Sequence, residues 1–252
     1  MDLVKQIVGW IRKQVEEAGA SGAVFGMSGG LDSSIVAALC HKSVTENALG
    51  AILPCYSDPV DLEDARLVAE QLGITKITVD LCPVFDALLA QLPKASDSAV
   101  INLKPRLRMM TLYYIAKEKG YLVVGTGNKS EIEVGYFTKY GDGGVDILPL
   151  ASTYKTDLGS MAGELGIPAR IIDKVPSAGL WAGQTDEREM GITYAVLDDI
   201  LKAIETHQET EAESELVKKV KGMVDSSAHK RSLPTCFSPE QDNNCGSSPQ
   251  GY

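Results

Sequence analysis

The sequence predicts an α/β protein built on a doubly wound, mostly parallel sheet with helices on both faces. Three observations lead there: short apolar runs without polar alternation, apolar stripes at helical spacing between them, and glycine-rich turns directly after two of the runs. Val4, Ile7, Val8, Ile11 and Val15 lie on one face of an amphipathic helix, which Gly19 and Gly22 end. Residues 23–25 form the first strand, and after a turn a helix starts near Asp32, with Ile35, Val36 and Leu39 facing the core. Residues 48–53 read as a fully buried strand. Ala65, Val68, Ala69 and Leu72 then mark a helix over 61–72, followed by a strand over 74–79. Residues 106–119 are helical with Pro105 at the first turn, and the strand at 121–125 runs into Thr126-Gly127-Asn128. This alternation places ligands at the carboxyl ends of the strands.

Farther along, residues 154–165 show helical spacing, and Pro168 and Pro176 bracket an extended segment. Residues 178–191 carry glycines, Trp181 and acidic side chains, the composition of a mobile surface loop and a candidate lid. Leu197, Ile200, Leu201 and Ile204 form a helical stripe, and 205–221 reads as a charged, solvated helix.

With 252 residues, 44% of them hydrophobic and 23% charged, the chain suffices for one large domain, assigned to 1–237. Residues 238–252 are Ser, Pro, Gly, Asn and Gln with almost nothing to bury, so a disordered tail is expected. No apolar stretch approaches the roughly 18 residues of a membrane span, and the start lacks the pattern of a signal peptide. The expectation is a cytoplasmic protein without a membrane partner. Cys40, Cys55, Cys82, Cys236 and Cys245 show no C-x-x-C spacing and read as free thiols of a reducing compartment. A net charge of −10 argues against a nucleic-acid partner, so a polyanionic substrate must meet a local basic cluster or a metal ion.

The densest chemical signal is Gly26-Met27-Ser28-Gly29-Gly30-Leu31-Asp32-Ser33-Ser34, which joins the first strand to the next helix. Glycines let backbone N–H groups close on phosphate oxygens, and the helix start adds the positive end of its dipole. The serines offer hydroxyls, and Asp32 can hold a cation against the same oxygens. No Lys-Ser or Lys-Thr pair follows the glycines, which excludes a Walker A loop, and no G-x-G-x-x-G is present. The run Ser-Gly-Gly-x-Asp-Ser resembles the pyrophosphate loop of the ATP pyrophosphatases, which split ATP into AMP and pyrophosphate to activate a carboxyl or carbonyl oxygen.

Other segments add to it. Thr138-Lys139-Tyr140-Gly141-Asp142-Gly143-Gly144-Val145-Asp146 is too polar for core. Arg106 and Arg108 sit at a helix start, Glu131 and Glu133 follow the Gly125-Thr126-Gly127-Asn128 turn, and His229-Lys230-Arg231 is a basic triplet. Singly, each is most simply a surface ion pair or a satisfied core group. Together with the phosphate loop they resemble the ammonia-dependent NAD synthetases from the amino-terminal helix to Arg231. The Thr-Lys-Tyr-Gly-Asp-Gly-Gly run is the most family-specific.

That resemblance implies an adenine nucleotide α-hydrolase-like fold. It implies that Gly26, Met27, Ser28, Gly29, Gly30, Leu31, Asp32 and Ser33 bind the ATP phosphates, with Asp32 and Glu131 on Mg2+. It places Thr126, Lys155 and Ser177 on ATP, and Arg106, Lys139, Asp146, His229 and Lys230 on deamido-NAD. The implied reaction is amidation of deamido-NAD: its nicotinate carboxylate attacks the α-phosphorus of ATP, and ammonia then attacks the resulting acyl-adenylate. The catalytic candidates are Lys155 and Asp146, the latter to orient or deprotonate the ammonia. A homodimer is implied too, with the apolar face over 194–204 as a candidate contact. Alternatives are a synthetase subunit fed by a separate glutaminase, another ATP pyrophosphatase such as a tRNA-thiolating enzyme, and a non-catalytic nucleotide-binding module. The tRNA enzyme would predict cysteine pairs and a basic surface.

Overall fold

A computed structural model describes residues 3–181, 183–208, 210 and 212–237. The anticipated tail over 238–252 lies outside the described residues. The chain opens with helix α1 (Leu3–Glu17), strand β1 (Gly22–Gly26), α2 (Leu31–Val44), β2 (Ala48–Ile52), α3 (Pro59–Leu72) and β3 (Thr75–Thr78). It continues through α4 (Cys82–Gln91), α5 (Asp97–Ile101), α6 (Leu103–Lys119), β4 (Tyr121–Val124) and α7 (Lys129–Val134). After a 3-10 turn at Lys155–Asp157 come α8 (Leu158–Leu165), α9 (Ala169–Ile172), α10 (Asp186–Met190), α11 (Tyr194–Thr206) and α12 (Ser214–Ser227).

The sheet runs in the order β3-β2-β1-β4, and each neighbouring pair is parallel. Successive side chains of β1 point to opposite faces, and each face is buried. Ala23 and Phe25 join Ile11, Ile35, Leu39 and Leu158 from α1, α2 and α8, whereas Val24 joins Leu107, Leu112 and Ile115 of α6. This double burial is why the strands read as unbroken apolar runs. At the edge, β3 is exposed throughout, so its Thr-Lys-Ile-Thr carries polar residues that the inner strands lack. Because β2 and β4 flank β1 while the chain winds outward in both directions from it, the carboxyl ends of β1 and β4 open onto one crevice.

The carboxyl-terminal half departs from the sequence reading in four places. The segment between Pro168 and Pro176 is not simply extended: α9 forms directly after Pro168, a position that needs no N–H, and Ile171 buries completely. The charged stretch 205–221 is not one helix, because His207 takes a left-handed cap (φ 55) that ends α11, and α12 starts only at Ser214. Residues 178–191 are not a free surface loop, since α10 forms there with Asp186 and Met190 buried. The apolar stripe of α11 is internal: Tyr194, Leu197, Ile200 and Leu201 form a third cluster with Val134 of α7 and Val220 of α12. It is therefore no candidate for a subunit contact. Leu197→Ala is expected to cost about 2–5 kcal/mol, a loss to be read by chemical denaturation.

Candidate active site

The phosphate-type turn leaves β1 at Gly26 and enters α2 at Leu31. Gly29 holds a left-handed conformation (φ 79), and a Cβ there would overlap the backbone carbonyl of Asp61 at the start of α3. Gly30 occupies the N-cap position with no side-chain cap on the helix, which leaves the N–H groups of the first turn facing outward as an anion site. The serines shape this loop more than they extend from it. Ser34 donates to the Gly30 carbonyl at 2.7 Å. Ser33 donates to the same carbonyl at 3.0 Å, accepts from the Ser28 N–H at 3.3 Å and lies 2.9 Å from the Ser28 hydroxyl.

Lys174 braces the loop from outside. Its ammonium donates to the Gly29 carbonyl at 3.2 Å and contacts Asp61 and Asp64, each at 2.6 Å. Asp64 is buried and also pairs with Arg170. Burial works against the Asp64 carboxylate, but the two cations outweigh it and hold its pKa below the usual range. Lone lysines and aspartates 110 residues apart offer no local pattern, so sequence reasoning missed this cluster.

Asp32, in the first turn of α2, points across the crevice to the turn after β4. Lys155 donates to its Oδ1 at 2.5 Å, and the Asn128 amide donates to its Oδ2 at 2.6 Å. Glu131 Oε1 lies 3.8 Å from the same ammonium. Asn128 is fully buried and forms a reciprocal capping box with Glu131: its side chain accepts the Glu131 N–H, and the Glu131 carboxylate accepts the Asn128 N–H. The pattern Asn-x-x-Glu ahead of an apolar position is a sequence signal for this cap that could have singled out Asn128.

Burial, and then the charge of Asp32, push the Glu131 pKa up to about 8 against the pull of Lys155. For Lys155 burial works the other way, yet Asp32 and Glu131 together hold its pKa above the usual lysine range. The Lys155 ammonium also lies 5.4 Å from the centre of the Tyr194 ring. Tyr194 and Tyr136 donate to the two oxygens of buried Asp186, at 3.1 and 3.2 Å, which closes the wall behind the lysine. Leu180, in the same segment, is tied down from both sides: Lys104 donates to its carbonyl at 2.7 Å, and its N–H donates to Gln184 at 2.8 Å.

Among the described residues no group of three or more His, Cys, Asp or Glu side chains is placed to hold a metal ion. Asp32 and Glu131 therefore offer two carboxylates beside a phosphate loop, the hard-oxygen donor set that suits Mg2+ completed by substrate phosphates and water.

Four of the five residues assigned to the dinucleotide converge. Arg106 of α6 donates to the Lys139 carbonyl at 3.4 Å, Lys139 donates to the His229 carbonyl, and Lys230 donates to the carbonyls of Gly135 and Phe137 at 2.7 and 2.8 Å. Gly135 must be glycine here, because a Cβ would run into Ser227 and its φ is 68. Arg231 serves the frame, donating to carbonyls of Ile132, Glu133 and Val224. Asp146 lies apart along the flank of β4, where its carboxylate accepts from the Tyr113 hydroxyl at 2.9 Å and the Val123 N–H at 2.8 Å. Thr126 follows β4 at the crevice, and Ser177 is exposed, its hydroxyl accepting from Gly179 N–H at 3.1 Å.

Comparison with known proteins gives this arrangement a family. A family model described as NAD synthase matches residues 3–234. The chain is 48% identical over 242 residues to the NH(3)-dependent NAD(+) synthetase of Finegoldia magna, covering 96% of this chain and 98% of that one. Among solved structures, the NMN synthetase of Francisella tularensis superposes with a TM-score of 0.87 at 36% identity, covering 94% of this chain and 97% of the other. An NH3-dependent NAD synthetase from Campylobacter jejuni gives a TM-score of 0.82 at 28% identity, over 94% and 100% of the two chains. From its phosphate loop to its basic triplet, this chain belongs to the NAD synthase family.

Proposed function

We propose that this protein makes NAD by ATP-dependent amidation of deamido-NAD with ammonia, releasing AMP and pyrophosphate through an acyl-adenylate. The observation that carries the reading is the meeting of Lys155, Asp32 and Glu131 at the mouth of the phosphate loop, in a chain that aligns with ammonia-dependent relatives over nearly its full length. In the first step the nicotinate carboxylate attacks the α-phosphorus and pyrophosphate leaves. The α2 N-terminus and Lys155 face the negative charge that grows on the phosphate oxygens, and their fixed positions mean little reorganisation as it develops. Asp32 and Glu131 would hold Mg2+, which when bound supplies charge neutralisation to the phosphates. Arg106, Lys139, His229 and Lys230 would orient the dinucleotide. Asp146 has both oxygens engaged, which suits a residue that positions the dinucleotide better than one that takes a proton from ammonium.

Lys139→Ala or Arg106→Ala should weaken deamido-NAD by roughly ten- to a hundredfold, the worth of one charge-assisted hydrogen bond, and ATP much less. Calorimetric titration of each substrate reads the difference, and equal losses for both would contradict the division of the site. We further propose a cytoplasmic homodimer. Support for the dimer moves from α11 to α6, where Met110 and Tyr114, one turn apart, are 57% and 75% exposed.

The deciding experiment combines the protein with Mg-ATP, either deamido-NAD or nicotinic acid mononucleotide, and either ammonium or glutamine. NAD formed from the dinucleotide with ammonium supports the proposal. Amidation of the mononucleotide alone, or of either acid with glutamine alone, would replace it.

A further inference from the structure

A buried carboxylate stands behind Lys155 and Glu131 that takes no part in the chemistry above. Asp198 of α11 is 1% exposed, and both of its oxygens are bound by neutral donors. Oδ1 accepts the Ser130 hydroxyl at 2.5 Å, and Oδ2 accepts the Thr156 N–H at 3.0 Å. Ser130 is itself fully buried, and its hydroxyl oxygen accepts the Lys155 N–H at 2.9 Å. One bond therefore ends on the residue before Glu131, the other on the residue after Lys155, and the serine closes the bridge between them. The two segments are joined at the point where their side chains reach Asp32. Burying a carboxylate is costly, and an amide or apolar residue would fill the same space more cheaply. Only an acceptor with two free oxygens can satisfy a hydroxyl and a peptide N–H together, because an amide offers one acceptor and one donor.

We infer that Asp198 is a positioning residue of the reaction: acting through Ser130 and Thr156, it sets the register between Lys155 and Glu131 over the phosphate loop. This rests on the reading that Lys155 acts on the phosphates. Asp198→Asn keeps the shape but turns an NH2 against the Thr156 N–H. It should lower kcat about 10- to 100-fold with the deamido-NAD KM within about twofold. Ser130→Ala, a smaller change, should lower kcat in the same sense with the protein still folded, and it serves if the aspartate variant fails to fold. Both are measured against thermal melting and against Lys155→Ala, alone and combined. If Asp198 works through Lys155, Asp198→Asn or Ser130→Ala adds little further loss once Lys155 is alanine. Additive losses, or a kcat decline matched by the fraction unfolded, would overturn the inference. Wild-type turnover in Lys155→Ala would remove the role of Lys155 and the clamp with it, whereas an impaired Lys155→Ala beside unaffected Asp198→Asn and Ser130→Ala removes the clamp alone.

Discussion

Asp32→Ala is expected to reduce NAD formation by roughly 10²- to 10³-fold or more while leaving a folded protein, because it strips charge from the centre of the phosphate crevice. Three consequences follow from its contacts. Lys155 loses its 2.5 Å partner and keeps only Glu131, at 3.8 Å, so its ammonium is no longer held at one place. The Asn128 amide, fully buried, loses its acceptor, which loosens the turn that carries Glu131. One of the two carboxylates suited to Mg2+ disappears. Against these, the cost to the fold is small: Asp32 sits in the first turn of α2, where its charge against the helix dipole is worth about 0.3–1 kcal/mol, and its removal opens no apolar cavity. AMP and NAD formation should fall together, with circular dichroism and melting close to wild type. Near wild-type turnover would show that this carboxylate is dispensable. Glu131→Gln should follow the same course more mildly, since the amide can still accept the capping bond from Asn128.

Gly29→Ala is expected to have the second largest effect, and on a different quantity. At φ 79 an alanine carries strain of about 1–2 kcal/mol, and its Cβ would also collide with the Asp61 carbonyl, which is backbone and cannot rotate away. The loop must lift from α3, and the bond from Lys174 to the Gly29 carbonyl breaks with it. The N–H groups at the start of α2 would then no longer converge. ATP affinity should drop by more than about tenfold for each 1.4 kcal/mol of misplaced contact, with a lower melting temperature. Deamido-NAD, held by groups from α6, the Lys139 segment and the carboxyl-terminal triplet in this reading, should bind nearly as before. Titration of the variant with ATP and with deamido-NAD separately tests this, and unchanged ATP binding would show that the loop tolerates displacement.

The inner strands β1, β2 and β4 were legible because burial on both faces leaves an unbroken apolar run, and α1 and α3 because burial on one face leaves a stripe. The phosphate-type turn was legible because glycine, hydroxyl and carboxylate follow one another along nine consecutive positions. α9 and α10 were not, being too short for a period to show. The α11 stripe could be read as a helix face but not as an internal one, since what covers it, α7 and α12, lies far away in the chain.

By itself, then, the sequence determined the α/β class, the turn after β1 and the set of residue types drawn toward it, all of which follow from local backbone preference and local burial. Which groups meet was decided only by the tertiary structure. Asp32 reaches Lys155 across 123 residues, Lys174 reaches Gly29 across 145, and Asp198 reaches Ser130 across 68. Asp146 and Lys139 stand seven positions apart in one polar run, yet Asp146 is spent on β4 and Tyr113 while Lys139 turns to the carboxyl-terminal triplet. The reason is physical: a buried charge or N–H must find a partner, and the nearest one is set by how sheet and helices pack rather than by distance along the chain.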